Sequence, residues 1–293
     1  MTQRKIYGLK LRRGELALGR KTLVMGVLNV TPDSFSDGGK FLESGRAVEH
    51  ALKIQRDGAD ILDIGAESTR PGSSEISAVE ELARLLPVLE ALRGKLKIPI
   101  SVDTQKAAVA EIAIGAGAEI INDVSGLRRD SRLAEAVARH RVALILMHMR
   151  GTPQTMQKMP FANYVMKDVA SGLKRSVDIA RKSGVAKNRI VIDPGIGFGK
   201  SFEQNYELLA KLPELAKLGY PMMVGTSRKG FLGKTLSQDG KQVLAEERIW
   251  GTAATVTASI LGGAHIVRVH DVAEMAQVAR VADCVLHESV YPR

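Results

Sequence analysis

The sequence predicts a (β/α)₈ barrel, an α/β fold in which eight parallel strands alternate with helices. Two observations carry this prediction: eight short, nearly continuous apolar runs recur along the 293 residues, and helical patterns lie between them. Continuous apolarity is expected of strands that are covered on both faces. Strands that alternate with helices imply parallel pairing through right-handed crossovers. The length also fits a barrel of this kind. A doubly wound open sheet is the alternative.

The eight runs are of strand length and rich in Val and Ile, as strands should be. In chain order they are TLVMGVLNV, ADILDIGAES, IPISVDT, EIINDVSG, VALILMHM, RIVIDPG, PMMVGTS and AHIVRVHD. The segments between them show apolar residues at helical spacing. The segment FANYVMKDVASGLKRSVDIARKSG predicts a long helix that ends at Gly184. Two further helical faces are predicted by Ala47, Ala51 and Ile54, and by Val79, Leu82, Leu85, Leu86, Leu89 and Leu92.

The amino-terminal segment precedes the first barrel strand. Alternation around RRGE within residues 6–20 predicts a β-hairpin that closes the bottom of the barrel. No linker or shift in composition divides the chain. We therefore expect one domain over residues 1–293, with residues 1–22 as a hairpin extension.

Composition narrows the classes of function. The formal charge of +10 favours an anionic partner, but aromatic residues make up only 4% and no basic run is interleaved with them. A small anionic substrate is therefore expected, and nucleic acid is not. Residues 251–267 are short for a membrane span and are divided by Gly262 and Gly263, which predicts a buried helix and a strand. A lone cysteine, Cys284, and the lack of an apolar signal core predict a cytoplasmic protein.

Polar side chains stand at the end of every predicted strand. Barrel enzymes build their sites at the carboxyl ends of the strands. A purely structural barrel has little need for acids, amides and cations that converge there. The residues are Asn29, Glu67 to Thr69 with Arg70, Asp103, Asn122, Asp123, His148, Asp193, Ser227 to Lys229, and Arg268 with His270.

Three of the polar residues have a structural interpretation beside the functional one. Asp63 is interpreted as a buried structural carboxylate rather than a support for a site residue. His148 is a loop cap or a site residue, and Asp123 is expected to hold its own loop. The segments 30–41 and 68–77 are long, polar and rich in Gly and Ser. Such loops are either functional or plain surface connections.

Seven motifs follow one another in order: MGVLNVTPDSFSDGG, ESTRPG, SVDT, INDVSG, DPGIGFGK, SRK and RVHDV. From Leu23 to Val285 the chain resembles the bacterial dihydropteroate synthases, the sulfonamide-target enzymes of folate synthesis. The resemblance implies a transferase that condenses dihydropterin pyrophosphate with p-aminobenzoate to give dihydropteroate and pyrophosphate. It also implies a homodimer. The alternatives are a pterin-binding methyltransferase barrel and a pterin-binding paralogue without turnover.

The resemblance assigns the motif DPGIGFGK to the pterin ring. The carboxylate of Asp193 would accept paired N–H bonds from the ring edge, and the glycines would let the backbone and Phe198 come close. A phosphate-binding loop is the weaker interpretation, because the spacing of a P-loop is absent. By the same resemblance Asp103, Asn122 and Lys229 complete the pterin site.

The remaining assignments from the resemblance concern pyrophosphate, metal and amine. Thr69, Arg268 and His270 would bind pyrophosphate, and Asn29 would ligate Mg²⁺ together with the substrate phosphates. Catalysis would be mainly electrostatic, at Asp103, Lys229, Arg268 and His270. The aminobenzoate pocket would be formed by Phe35, Arg70, Pro71 and Phe198.

Overall fold

Eight parallel strands form the central sheet, as a computed structural model of the chain shows. The structure describes residues 4–31, 40–69, 72–157, 161–238, 240–241 and 243–288, with the backbone alone for residues 40–44. The strands in chain order are β1 Tyr7–Leu11, β2 Gly14–Leu18, β3 Leu23–Asn29, β4 Ile61–Gly65, β5 Ile100–Asp103, β6 Ile120–Asp123, β7 Ala143–Met147, β8 Ile190–Asp193, β9 Met223–Val224 and β10 Ile266–Val269.

Helices follow the strands and cover the outside of the sheet. Strands β3 to β10 are the eight runs that the sequence predicts, so the alternation is confirmed. The helices are α1 Lys40–Arg56, α2 Ala78–Leu92, α3 Ala107–Gly115, α4 Arg132–His140, α5 Val165–Lys182, α6 Phe202–Ala210, α7 Leu212–Leu215, α8 Gly230–Thr235, α9 Ile249–Leu261 and α10 Val272–His287.

The sheet curls into a nearly closed barrel. Its strand order is β8-β7-β6-β5-β4-β3-β10-β9, and the neighbours pair in parallel. The two outer strands meet through a single parallel bridge between Ile192 and Met222, beside a 3.0 Å bond from Ile192 N–H to Pro221 O. The fold is therefore the predicted barrel rather than an open sheet.

The amino-terminal hairpin plugs the lower end of the barrel. Strands β1 and β2 pair antiparallel. Their buried side chains Leu9, Leu11 and Leu18 pack with inward-facing residues near the amino ends of the strands, among them Ile61 and Ile266. Burial of these side chains closes the end of the barrel that lies opposite the predicted site, as the sequence predicts.

A buried ion pair ties the segment before the hairpin to the last helix. The guanidinium of Arg4 donates to Asp283 Oδ1 at 3.0 Å and to Ala264 O at 2.7 Å. The other carboxylate oxygen of Asp283 accepts the backbone N–H of Thr22 at 2.6 Å. The bonds satisfy both charges, which burial would otherwise make costly.

Helix α2 departs from the prediction at its first turn. Leu85, Leu89 and Leu92 are buried as expected, but Val79 is 78% exposed. Val79 lies six residues before Leu85, about 240° around the helix, so the two cannot share a narrow face. Glu81 is buried instead.

The segment 251–267 forms a helix and a strand, as predicted. Helix α9 ends at Leu261, the turn runs through Gly262 and Gly263, and β10 begins at Ile266. Within the described parts of the chain, no helix has the length and apolarity that crossing a membrane requires.

Candidate active site at the barrel mouth

Parallel pairing aligns three polar site residues and one glycine at one level of the barrel. Asn29 pairs with Gly65, Gly65 with Asp103, and Asp103 with Asn122. Each residue is at or next to the carboxyl end of its strand. The register therefore brings together side chains that lie far apart in the sequence, at the end of the barrel where enzyme sites form.

Arg268 is the centre of a buried hydrogen-bond network. Its Nε donates to Asp63 Oδ2 at 2.6 Å, and its Nη2 donates to Asp103 Oδ2 at 3.0 Å. The amide of Asn122 donates to the same oxygen of Asp63 at 3.1 Å. Asp63 thus contacts two predicted site residues, although the sequence favours a structural role for it. Both descriptions hold, because Asp63 is fully buried.

Some buried oxygens in this layer lack partners among the described residues. They include Asp63 Oδ1, Ser101 Oγ and Asn122 Oδ1, which come from the neighbouring strands β4, β5 and β6. Buried polar atoms in folded proteins are nearly always hydrogen-bonded. The layer therefore has unused capacity to accept hydrogen bonds at the predicted pterin site.

Burial shifts the ionisation of the predicted pterin ligands. It raises the pKa of Asp103 to about 7; Arg268 opposes this shift, and nearby carboxylates add to it. It raises the pKa of Asp193 to about 6, against a hydrogen bond from the Gly195 backbone and nearby cations. It lowers the pKa of Lys229 to about 8, and Arg268 acts in the same direction. The site therefore holds acids and a base that titrate near neutral pH.

The loop after β8 presents Asp193 and Phe198 to the mouth. Asp193 Oδ1 accepts the N–H of Gly195 at 2.7 Å, which leaves Oδ2 for another donor. Lys229 Nζ lies 3.9 Å from the ring centroid of Phe198, in cation–π contact. Phe198 also belongs to an apolar cluster that would suit the face of a flat ring. The cluster contains Val124, Met147, Met149, Met156 and Phe198.

His270 follows β10 and is held by Ser227. The Ser227 hydroxyl oxygen lies 3.0 Å from His270 Nδ1 and accepts the His270 backbone N–H at 3.2 Å. Burial and then Arg268 lower the pKa of His270 to about 3, so the imidazole is neutral at pH 7. The Ser227 hydroxyl can donate to Nδ1 or accept from it; in the tautomer in which it donates, the proton of the neutral ring lies on Nε2.

Asp123 holds its own loop, whereas His148 contacts a different loop. Asp123 accepts the backbone N–H groups of Ser125 at 2.8 Å and Leu127 at 2.6 Å, as the sequence predicts. His148 lies with Nδ1 3.0 Å from Lys200 Nζ. The sequence singles out His148 but gives no signal for its partner, because the two residues lie on different loops.

A buried charge cluster anchors the loop after β4. Lys106 Nζ donates to Glu67 Oε2 at 2.7 Å and to the buried Glu81 at 2.5 Å. Glu67 also accepts the N–H of Ile76 at 3.1 Å. The sequence gives no signal for Lys106, since it lies outside the motifs.

Thr69 is half-buried in the loop after β4. Three predicted residues fall outside the described ranges: Phe35, Arg70 and Pro71.

The oxygens at the mouth suit a hard cation only in part. A Cβ built on Gly65 would lie 3.8 Å from Asn29 Oδ1 and 3.9 Å from Asp103 Oδ2, so Gly65 lies close to both oxygens. Oxygen ligands are those that Mg²⁺ prefers. The described residues contain no cluster of three acidic, His or Cys ligands. The described residues at the mouth therefore offer a hard cation the oxygens of Asn29 and Asp103 but no complete set of ligands.

Comparison with known proteins agrees with this geometry. Residues 25–270 match the family described as pterin binding enzyme. The dihydropteroate synthase of Synechocystis is 49% identical over 265 residues, 90% of each chain. A Xanthomonas albilineans dihydropteroate synthase solved with 4-aminobenzoic acid is 41% identical with a TM-score of 0.88, and covers 96% of this chain and 98% of its own. A complex of that organism's enzyme with 7,8-dihydropteroate has a TM-score of 0.80 and 40% identity, over 92% and 95%.

The chain folds into a barrel with polar residues at the carboxyl ends of its strands, and it matches the pterin-binding family over most of its length. It is therefore a member of the pterin-binding enzymes. Identity of 40–49% across nine-tenths of the chain fixes the family more closely. The chain belongs to the dihydropteroate synthase family of transferases.

Proposed function

We propose that the barrel mouth carries out the dihydropteroate synthase reaction of folate biosynthesis with the residues described above. Dihydropterin pyrophosphate and p-aminobenzoate give dihydropteroate and pyrophosphate. The observation that carries the assignment of residues is the alignment of Asn29, Asp103 and Asn122 at one level, joined through Asp103 to Arg268. All four lie in the motifs by which the chain resembles its family.

The pterin ring is bound by the inner acids and amide. Asp193 Oδ2 accepts N–H bonds from the ring edge, since Oδ1 is already used by Gly195. Asn122 Oδ1 and Asp103 are further acceptors, and Lys229 donates to the ring carbonyl. The apolar cluster around Phe198 packs against the ring face. A carboxylate that accepts ring N–H bonds must be ionised, so binding depends on the raised pKa of Asp193.

Pyrophosphate is bound by Arg268, His270 and Thr69. Arg268 uses two of the five guanidinium N–H donors on Asp63 and Asp103, and the others, which no described residue accepts, can face an anion. Burial opposes its charge, but the two carboxylates raise the pKa of Arg268, which therefore stays cationic. His270 donates from Nε2 as a neutral ring.

Asn29 is the ligand that this chain supplies to Mg²⁺. The ion, when bound, would neutralise charge on the leaving pyrophosphate. A single amide oxygen is a poor site for Mg²⁺ by itself, and substrate phosphates would supply further ligands. Affinity for Mg²⁺ should therefore be weak without pyrophosphate and much higher with it.

The reaction is a displacement at the methylene carbon of the pterin. The bond from this carbon to the pyrophosphate oxygen breaks, and the electron pair leaves with pyrophosphate. The amine nitrogen of p-aminobenzoate forms the new bond to carbon and then loses one proton. Arg268 and His270 stabilise charge that grows on the leaving group, while the carboxylates of Asp103 and Asp193 stabilise positive charge on the ring.

We further propose a single domain that acts as a homodimer in the cytoplasm. Exposed apolar side chains on α9 and α10 support the dimer: Trp250 is 79% exposed, Val281 65% and Val285 49%. Lone Cys284 suits a reducing compartment. Light scattering of wild type and Trp250→Lys tests the dimer, and a variant of unchanged mass would contradict this surface.

The decisive experiment is a turnover assay. Purified protein is mixed with dihydropterin pyrophosphate, labelled p-aminobenzoate and Mg²⁺, and labelled dihydropteroate is measured. We expect product from wild type and a large loss in Asp193→Asn. Pterin binding without product would indicate the paralogue without turnover. Methyl transfer from methyltetrahydrofolate in place of condensation would indicate the other pterin-binding class.

A further inference from the structure

A buried lysine sits behind the predicted pterin site. Lys200 ends the motif DPGIGFGK and is only 8% exposed. Its ammonium donates to His148 O at 2.9 Å, Gly195 O at 2.8 Å and Phe198 O at 3.0 Å. It therefore donates hydrogen bonds to carbonyl oxygens of the loop after β7 and of the loop after β8.

The bonds make Lys200 a link between two loops rather than a surface charge. A buried ammonium is costly unless its N–H groups are matched. Here three carbonyls match the three donors, and His148 Nδ1 lies at 3.0 Å as a fourth neighbour. Without the lysine, the three carbonyls would lose this shared donor in a place that solvent barely reaches.

The two loops are packed backbone against backbone. Gly195 and Gly199 have φ of 65° and 67°. A Cβ on Gly195 would overlap the carbonyl of His148, and one on Gly199 would overlap the carbonyl of Arg150. A further bond runs from His148 N–H to Asp193 O at 2.9 Å. The contact leaves no room for side chains at these glycines, and the Lys200 ammonium bonds to backbone carbonyls of both loops beside it.

Charged groups surround the lysine on every side. Burial lowers the pKa of Lys200 to about 7, Asp193 and Asp168 oppose this, and the cations Lys229 and Arg128 add to it. Burial and then Lys200 lower the pKa of His148 to about 2. The neutral imidazole thus turns Nδ1 to Lys200, while Nε2 lies 3.5 Å from Asp168 Oδ2. The charges of Arg128, Arg150 and Arg175 also lower the pKa of His148.

We propose that Lys200 is a positioning residue of the pterin site: it holds the loop after β8 against the loop after β7 and so fixes Asp193 and Phe198. Lys200 itself contacts neither substrate. The part of the proposal that concerns affinity rests on the proposed role of Asp193 in binding pterin. The part that concerns the loops does not.

The first test measures the loops without any ligand. Hydrogen exchange is followed by mass spectrometry in wild type, Lys200→Met and the matched control Lys211→Met. Lys211 is a surface residue paired with Glu207. We expect peptides over 144–152 and 193–200 to exchange at least tenfold faster in Lys200→Met alone, with the remaining barrel unchanged. Unchanged exchange in both loops would overturn the proposal, whatever the protein binds.

The second test measures coupling to Asp193. The affinity for 6-hydroxymethylpterin is measured by calorimetry in wild type, Lys200→Met, Asp193→Asn and the double variant. We expect a tenfold or greater loss for Lys200→Met, and a much smaller loss when Asp193 is already replaced. Equal losses in both backgrounds would contradict positioning through Asp193. Absence of pterin binding by wild type would contradict the proposed function and leave the exchange test to decide on the loops.

A second variant, Lys200→Gln, allows the test to be made if Lys200→Met does not fold. Lys200→Gln keeps N–H donors without the charge, so it should restore part of the loop protection that Lys200→Met loses. If Lys200→Met does not fold, the same two measurements are made on Lys200→Gln. If neither variant folds, Lys200 serves the stability of the whole fold and the proposal is overturned.

Discussion

Arg268 Nε lies 2.6 Å from Asp63 Oδ2, in a contact between β10 and β4 inside the barrel. Asp63 is fully buried in the barrel. Its carboxylate nevertheless orients a predicted pyrophosphate ligand, Arg268, and a predicted pterin ligand, Asn122. A residue that looks structural in the sequence therefore bonds to a residue from each half of the site.

Arg268→Ala should weaken binding of the pyrophosphate group more than binding of the pterin ring. We expect the variant to lose at least tenfold more affinity for dihydropterin pyrophosphate than for 6-hydroxymethylpterin, because the guanidinium faces the anion. Both affinities are measured by calorimetry, after circular dichroism confirms the fold. Equal losses for the two ligands would show that Arg268 acts on the ring through Asp103 and Asp63.

Asp193→Asn should weaken pterin binding and alter its pH dependence. An amide in place of the carboxylate presents a donor to ring donors, at a cost of about 1.5–3 kcal/mol, or roughly 10- to 100-fold in affinity. In wild type the affinity should fall as the pH drops below about 6, where Asp193 takes up a proton. Asp193→Asn should lack this dependence. A variant with near-normal affinity would remove Asp193 from the pterin site.

Asp103 should make folding less favourable as pH rises. Its pKa is raised from 3.8 to about 7 in the folded chain, so its contribution to stability is fully present below pH 3.8 and is lost as the pH rises through 7. Relative to Asp103→Asn, the free energy of unfolding of wild type should fall by about 1.4 kcal/mol per pH unit within this range. Urea unfolding at pH 4 to 8 measures it.

Asp130→Asn is the matched control for that titration. A hydrogen bond from Arg132 lowers the pKa of Asp130, so its contribution is present above pH 3.8 and is lost as the pH falls further. Its effect between pH 4 and 8 should be flat. If Asp103→Asn is equally flat over this range, Asp103 does not titrate near 7 in the folded protein.

Binding of p-aminobenzoate should depend on pyrophosphate. Asn29 and Thr69, the predicted ligands of Mg²⁺ and pyrophosphate, stand at the roots of segments 30–41 and 68–77, where the resemblance also places the amine pocket. Ordering a binding site costs conformational entropy, and a first ligand that orders the site removes this cost for the second ligand. We expect measurable binding of p-aminobenzoate only when pyrophosphate and Mg²⁺ are present. Equal affinity in titrations with and without them would indicate a preformed pocket.

Several features of the site followed from single stretches of sequence. Asp193, Asn29 and Asp103 each end an apolar run, and in a parallel barrel all such ends lie at one mouth. The loop role of Asp123 was also predictable, because a carboxylate can bond the backbone a few residues on. The prediction for Val79 is wrong, because this residue lies about 240° around the helix from Leu85 and so outside the narrow buried face.

The sequence by itself determined the class of fold, the end of the barrel that carries the site, and the family, because apolar periodicity and ordered motifs are local properties. Only the tertiary structure decided which polar residues meet. Lys200 and His148 are 52 residues apart, and Arg268 and Asp63 are 205 apart. Such pairs arise from strand register and loop packing around the whole barrel. Such pairs produce no periodic pattern in the sequence, because the fold and not the local spacing decides which group lies beside a buried charge.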